Sequence, residues 1–188
     1  MVNIGDEAHG ETIMKRYPKR PEILRRYAQD ILRRAKAYTV PVPLDKVAKH
    51  LGISVNYEPF DGELSGMIAK KGQHAVIGVN SLQSNNRQRF TLAHEIGHYA
   101  LHDFDVHVDK SFVVRNRDSK SSLAIDHEEI EANRFAAELL MPKDLLEADL
   151  DKFEIDIEDA ETIQHMARRY GVSEQAMTLR IVNLVRLG

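Results

Sequence analysis

The chain has 188 residues, a hydrophobic fraction of 43% and a net charge of −3, which suits one domain of ordinary size with a proper core. It contains no cysteine, which excludes disulfides and thiolate metal sites, so any metal must be held by histidine and carboxylate side chains. No apolar run approaches the roughly 20 residues of a membrane-spanning helix and no secretory signal is visible, so we expect a cytoplasmic protein without membrane contact.

Residues 1–20 show no clear periodicity, and we interpret them as an extension that precedes a single domain at residues 21–188. Pro21 is well placed to open a helix, because proline suits the first helical position. Four arginines lie opposite the apolar face of this helix, a pattern that is more often a solvated surface than a nucleic-acid site. A second, short helix is predicted at residues 44–52, with Gly52 as its C-terminal cap.

The middle of the chain predicts a small sheet. Residues 53–57 alternate like a strand, and two further strands are expected at residues 67–70 and 74–80. Lys71-Gly72 between them fits a hairpin turn. We therefore predict an α+β fold with three strands, mostly antiparallel.

A long helix is expected next, through residues 90–102, and it carries His94-Glu95-Ile-Gly-His98. Two imidazoles one turn apart lie on the same helix face and can bind one zinc ion from the same side. Glu95 beside them can take a proton from water, which is the chemistry of a metal-dependent peptidase. Residues 103–122 follow without a strong period, and we interpret them as a long mobile loop that could act as a lid.

Zinc would need a third protein ligand, and the sequence offers two kinds of candidate. His102 continues the same helix face, but a straight helix places it about 12 Å along the axis from His94, too far to share an ion at a bond of about 2 Å. The better candidate is Glu129, on an acidic helix predicted at residues 126–142, where small alanines allow close approach. Asn133, one turn later, could hydrogen-bond a histidine ring.

The C-terminal residues 143–188 predict a helical subdomain. Residues 162–170 and 174–185 resemble a helix-turn-helix pair, in which Arg180 could contact phosphate. A similar helix-and-turn pattern occurs at residues 44–54. Two copies indicate that the close packing of helices is enough to produce this pattern. With a net negative charge as well, we expect no direct nucleic-acid binding.

Two long motifs, in this order, give the chain its resemblance to a known family. Arg89-Phe-Thr-Leu-Ala-His-Glu-Ile-Gly-His98 is followed by Glu129-Ile-Glu-Ala-Asn-Arg-Phe-Ala-Ala-Glu-Leu-Leu-Met-Pro142. The chain thereby resembles the ImmA/IrrE family of metallo-endopeptidases, and the likeness runs from about Ile23 to the C-terminus. It departs from members with an appended DNA-binding or sensor domain, since its extension has only 20 residues.

The resemblance implies a role for each matching residue. His94, His98 and Glu129 correspond to the zinc ligands and Glu95 to the general base. Other candidate ligands are Glu131 and, with less support, Glu128. The helix would be of the zincin type and would pack on the three-stranded sheet. In zinc peptidases built this way an edge strand can pair with an extended substrate, and residues 73–80 are our candidate. For an oxyanion donor the sequence singles out no residue: Tyr99 is adjacent to the motif but faces a different direction on a straight helix, and His127 or His165 are guesses.

The resemblance also implies the substrate class. Proteases of this kind cut helix-turn-helix repressors inside the cell and so release genes of mobile elements or stress responses. We therefore expect a zinc-dependent endopeptidase whose partner is such a repressor. Two alternatives stay open: a non-catalytic metal-containing module that sequesters a transcription factor, and a DNA-binding regulator that uses the C-terminal helix pair.

Overall fold

Seven helices and a four-stranded mixed sheet make up the described part of the chain. The computed structural model describes residues 20–61, 64–72, 74–110, 121–153 and 160–187, so the predicted N-terminal extension lies outside it except for Arg20. The single-domain division at residue 21 stays a prediction. The helices are α1 (Pro21–Arg34), α2 (Leu44–His50), α3 (Asn85–Leu101), α4 (Ser121–Leu140), α5 (Lys143–Phe153), α6 (Ala160–Tyr170) and α7 (Glu174–Leu187). The strands are β1 (Ile53–Glu58), β2 (Leu64–Lys71), β3 (His74–Asn80) and β4 (Val106–Lys110).

The sheet has the strand order β1-β3-β2-β4. β1 is parallel to β3, whereas β2 is antiparallel to both β3 and β4. The predicted hairpin between β2 and β3 is confirmed, with Lys71 opposite His74 and Gly72 at a φ of 61°. Ile68 and Ile77 face each other on the buried side, with no exposed surface. This alternation of inward and outward residues follows from the pleat of the strands.

The sheet overturns two of the predictions. The sheet has four strands rather than three, because residues 106–110 pair with β2 instead of belonging to a loop at 103–122. Residues 111–120 of that predicted loop lie outside the described residues. The prediction that residues 73–80 form an edge strand is also wrong, since β3 lies between β1 and β2. The edges of the sheet are β1 and β4.

α3 is the central helix of the fold. Its N-terminus is capped by the Ser84 side chain, which accepts a hydrogen bond from the backbone N–H of Arg87. Residues 91–98 are all buried, which places every side of this stretch against other parts of the protein. A helix enclosed in this way needs no amphipathic pattern. One side of α3 packs on the sheet and the other on α4.

The contact between α3 and α4 is a close approach of two backbones at Gly97. A Cβ added at Gly97 would lie 3.1 Å from the carbonyl oxygen and 3.2 Å from the Cα of Ala132. Glycine and alanine at this crossing therefore allow the helices to meet without side chains between them, as the sequence predicted for the alanines of α4. The crossing brings the histidines of α3 next to the acidic side chains of α4.

Replacing Gly97 by valine is expected to lower the free energy of unfolding by about 1–3 kcal/mol, because the branched side chain must push the Ala132 backbone away. Urea unfolding would measure the loss. Asn85→Val serves as the control, since Asn85 lies exposed in the first turn of the same helix. Equal stabilities for the two variants would contradict a tight crossing.

The C-terminal helices are held to the rest of the protein by ion pairs. Arg180 of α7 binds both carboxylate oxygens of Glu138 on α4, at 2.8 and 2.6 Å, and also donates to the carbonyl oxygen of Met141. Asp149 of α5 accepts hydrogen bonds from Arg169 and Tyr170 of α6. Arg180 is therefore engaged inside the protein by Glu138 and Met141. In the described part of the chain no helix is long and apolar enough to cross a membrane.

Candidate metal centre

The sequence singled out four site residues, which are His94, Glu95, His98 and Glu129. Three of them, the predicted metal ligands, meet where α3 crosses α4. The Nε2 atoms of His94 and His98 lie 3.0 Å apart, and both side chains are buried, with 3% and 1% of their surface exposed. Glu129 reaches them from α4, with its Oε2 3.3 Å from His94 Nε2 and its Oε1 3.6 Å from His98 Nε2. The structure thus places the three predicted ligands around one point.

His107 joins this cluster from β4, and sequence reasoning missed it. Its Nε2 lies 3.5 Å from Oε1 of Glu129, and its ring stacks on that of His98 at a centroid distance of 3.6 Å. One potential ligand atom from each of His94, His98, His107 and Glu129 lies within 4.8 Å of all the others. The alternation of valine with polar residues at 106–109 was the one sequence signal for a strand that could present this histidine.

The four donors fit a zinc ion. Bonds of 2.0–2.2 Å in a tetrahedral site separate the ligand atoms by about 3.3–3.6 Å. The separations recorded among these donors run from 3.0 to 3.6 Å when both carboxylate oxygens of Glu129 are counted, and the four donor atoms of the cluster lie within 4.8 Å of one another. Three imidazoles and one carboxylate are also a donor set that zinc accepts readily, whereas calcium and magnesium prefer oxygen ligands alone. The cluster is therefore a candidate metal centre.

Hydrogen bonds outside the cluster orient its two helical histidines. Nδ1 of His94 lies 3.0 Å from Oδ1 of Asn133, the contact that the sequence predicted for this asparagine. Because the amide oxygen can only accept, His94 carries its proton on Nδ1 and keeps the lone pair of Nε2 for a metal.

A longer chain of hydrogen bonds supports His98. Its Nδ1 lies 3.1 Å from Nδ1 of His102, whose Nε2 lies 3.2 Å from Oε2 of Glu131. His102 thus lies outside the cluster and holds His98, and Glu131, the alternative ligand, contacts His102. Burial is the main cause that holds the pKa of His98 well below its usual range, and the neighbouring histidine rings add to the effect. His98 is therefore neutral, as a metal ligand must be.

Replacing Asn133 by alanine is expected to weaken zinc binding by about 10–100-fold, because the ring of His94 loses the partner that fixes its orientation and tautomer. Competition with a chromophoric chelator would measure the affinity. Arg134→Ala is the matched control, since Arg134 is the next residue of α4 and is exposed. If both variants bound zinc as tightly as the unaltered protein, the orienting role of Asn133 would be excluded.

Glu95 lies beside the cluster, on the side of α3 that faces the sheet. Its side chain has no exposed surface, and its Oε1 lies 3.7 Å from the position that a Cβ on Gly66 of β2 would take. Gly66 lies at an irregularity in the pairing of β2 with β4, a place where sheets often accommodate functional side chains. The predicted general base is thus deeply buried between α3 and β2.

The structure removes Tyr99 from the guessed oxyanion donors. Its hydroxyl donates to the carbonyl oxygen of Leu51, at the end of α2, at 3.3 Å. His127 and His165 lie exposed on α4 and α6. None of the three is among the residues that form the cluster.

Comparison with known families agrees with the two motifs and the cluster. The model of the peptidase M78 family, described as an IrrE N-terminal-like domain, matches residues 48–182, which is more than half of the chain. The matched range contains both helices of the metal centre and β4. No curated protein matches the chain. The resemblance to the ImmA/IrrE family is therefore confirmed, and the chain belongs to the peptidase M78 family as an IrrE N-terminal-like domain.

Proposed function

We propose that this protein is a zinc-dependent endopeptidase that cleaves a helix-turn-helix transcriptional repressor inside the cell. The observation that carries the proposal is the meeting of His94, His98 and Glu129 within about one coordination sphere, next to the buried carboxylate of Glu95. Membership of a peptidase family supports hydrolysis of a peptide bond over a purely structural use of the metal.

The chain's own residues divide the chemistry between them. His94, His98 and Glu129 would hold the metal, and the orienting hydrogen bonds to Asn133 and His102 would fix the histidine rings. When bound, zinc supplies a Lewis acid that polarises a carbonyl group and lowers the pKa of water towards neutrality. Glu95 would take the proton of the attacking water on its carboxylate and deliver it to the nitrogen of the leaving amine.

The surroundings of Glu95 suit proton transfer. The residue is enclosed by α3 and β2, so its interactions are not weakened by bulk water. The enclosure also protects the carboxylate from exchange with solvent while it holds the proton. Burial of the base and the two helical histidines in one place therefore favours a reaction centre over a surface metal site.

The substrate class rests on the resemblance to the ImmA/IrrE family. The test is to incubate the zinc-loaded protein with a helix-turn-helix repressor from the same genome, with and without a chelator. We expect a defined proteolytic product that the chelator abolishes. A stable, uncut complex would instead favour sequestration of the repressor, and a salt-sensitive shift of DNA in the absence of repressor would favour direct DNA binding.

A further inference from the structure

The side of the metal centre that faces solvent is covered by two side chains. His94 and His98 are almost fully buried, whereas Glu129 and His107 are 33% and 17% exposed. Within the cluster, solvent therefore reaches mainly these two residues. Of the two, Glu129 belongs to the long helix α4, and His107 belongs to the short edge strand β4.

With His107 the centre has four potential protein ligands, which is one more than a hydrolytic zinc site has. A catalytic zinc keeps three protein ligands and one position for water or substrate, whereas a zinc with four protein ligands is closed and structural. Three imidazole nitrogens and one carboxylate oxygen lie within 4.8 Å of one another, so His107 is close enough to act as a fourth donor. If His107 binds the metal, it occupies the position of the water that Glu95 would deprotonate.

We propose that β4 is an autoinhibitory strand and that His107 is a displaceable fourth ligand that closes the metal centre. The inference rests on the proposed peptidase function, since only a hydrolytic centre needs an open position. In the closed arrangement His107 takes the place of the reacting water. Withdrawal of β4 from β2 opens the centre.

The attachment of β4 is weak enough for such a withdrawal. The strand has five residues and, within the described part of the chain, pairs with β2 alone. Val106 is 57% exposed and Val108 is only partly buried, so neither valine of the strand belongs to the buried core. Segments with few buried contacts open at a low free energy while the rest of the fold persists. The aromatic contacts of the His107 ring with His98 and Phe104 favour the closed position without a covalent or deeply buried anchor.

Withdrawal of β4 would expose two things that a substrate needs. It would uncover the cluster and the neighbouring carboxylate of Glu95. It would also free the backbone groups along the outer edge of β2, with which an extended peptide can pair. Because Gly66 of β2 lies against Glu95, a peptide on this edge would pass directly beside the proposed base.

The first test replaces His107 by alanine and reads the coordination of the metal directly. Cobalt(II) is substituted for zinc, because its visible bands shift when one ligand atom is exchanged for another. We expect the bands of His107→Ala to shift as a water oxygen takes the place of the imidazole nitrogen, and zinc to pass more quickly to a competing chelator. The matched control is His50→Ala, which removes an exposed histidine at the end of α2.

Cleavage of a short peptide that spans the repressor's cleavage site supplies the second readout. If the open state holds about 1–10% of the molecules, removal of the closing ligand raises kcat/KM by about 10–100-fold. An unchanged cobalt spectrum, or a fall in kcat/KM, overturns the proposal. A fall with an unchanged spectrum would identify His107 as a group that assists the reaction.

A reversible disulfide between β2 and β4 tests whether β4 must move for cleavage to occur. Ala69 of β2 and Val106 of β4 are direct partners in the sheet, and the chain has no cysteine of its own. In the variant Ala69→Cys/Val106→Cys, oxidation should stop cleavage and reduction by a phosphine should restore it, with each single variant as a control. Equal cleavage by the locked and reduced forms overturns the proposal. If neither the unaltered protein nor His107→Ala cleaves the peptide, the proposed function fails, yet the cobalt spectrum still decides whether His107 closes the centre.

Discussion

Replacement of Glu95 by glutamine is expected to lower the rate of peptide cleavage by about 10²–10⁴-fold while zinc stays bound, because general base catalysis contributes about that factor. Glutamine has nearly the same shape as glutamate, so it can occupy the enclosed space between α3 and β2. Its amide, however, cannot receive and return a proton at neutral pH. The zinc ligands lie on other positions of α3 and α4, so the metal should remain.

Two measurements separate the loss of a base from damage to the site. Cleavage of the repressor would be followed at matched zinc content, and zinc content itself would be determined for each purified variant. Glu58→Gln is the control, because Glu58 is an exposed carboxylate on β1. Cleavage at the rate of the unaltered protein would exclude Glu95 as the base. Loss of zinc from Glu95→Gln would show that the carboxylate supports the metal site instead.

The part of the metal centre that lies on helices could be predicted from the sequence. The spacing of His94 and His98 fixes their relation, because residues four apart lie on one face of a helix whatever the rest of the fold does. The position of Glu129 followed from the small residues of α4, and the structure gives the reason in the backbone contact of Gly97 with Ala132. The geometry of one helix, together with the close crossing of α3 and α4, was therefore enough to predict that His94, His98 and Glu129 come together.

The part of the centre that lies on the sheet could not be predicted. His107 reaches the cluster because β4 pairs with β2 across an intervening helix, and strand pairing of this kind is not visible in local sequence. A five-residue strand next to a polar stretch gives only a short alternation. β3 is not the edge strand that was predicted, because β1 pairs with it in parallel on the side away from β2. An edge is defined by which strands pair, and local sequence does not show that.

The ion pair between Arg180 and Glu138 is expected to be a main support of the C-terminal helices. Both side chains are largely buried, with 10% and 12% of their surface exposed, and Arg180 also donates to the carbonyl oxygen of Met141 near the end of α4. Replacement of Arg180 by alanine should lower the free energy of unfolding by about 3–5 kcal/mol, because it leaves the Glu138 carboxylate buried without its partner. Urea unfolding would measure the change.

We attribute the large loss of unfolding free energy to the burial of both charged side chains. Two further variants test this explanation. Arg34→Ala breaks an ion pair with Asp30 that is largely exposed, so it should cost only about 0–1 kcal/mol. The double variant Arg180→Leu/Glu138→Leu removes both buried charges and should be more stable than Arg180→Ala, since no unpaired charge remains. If Arg180→Ala cost no more than Arg34→Ala, the pair would be an ordinary surface contact. The C-terminal helices would then be free to separate from α4, and Arg180 would again be available to an external partner.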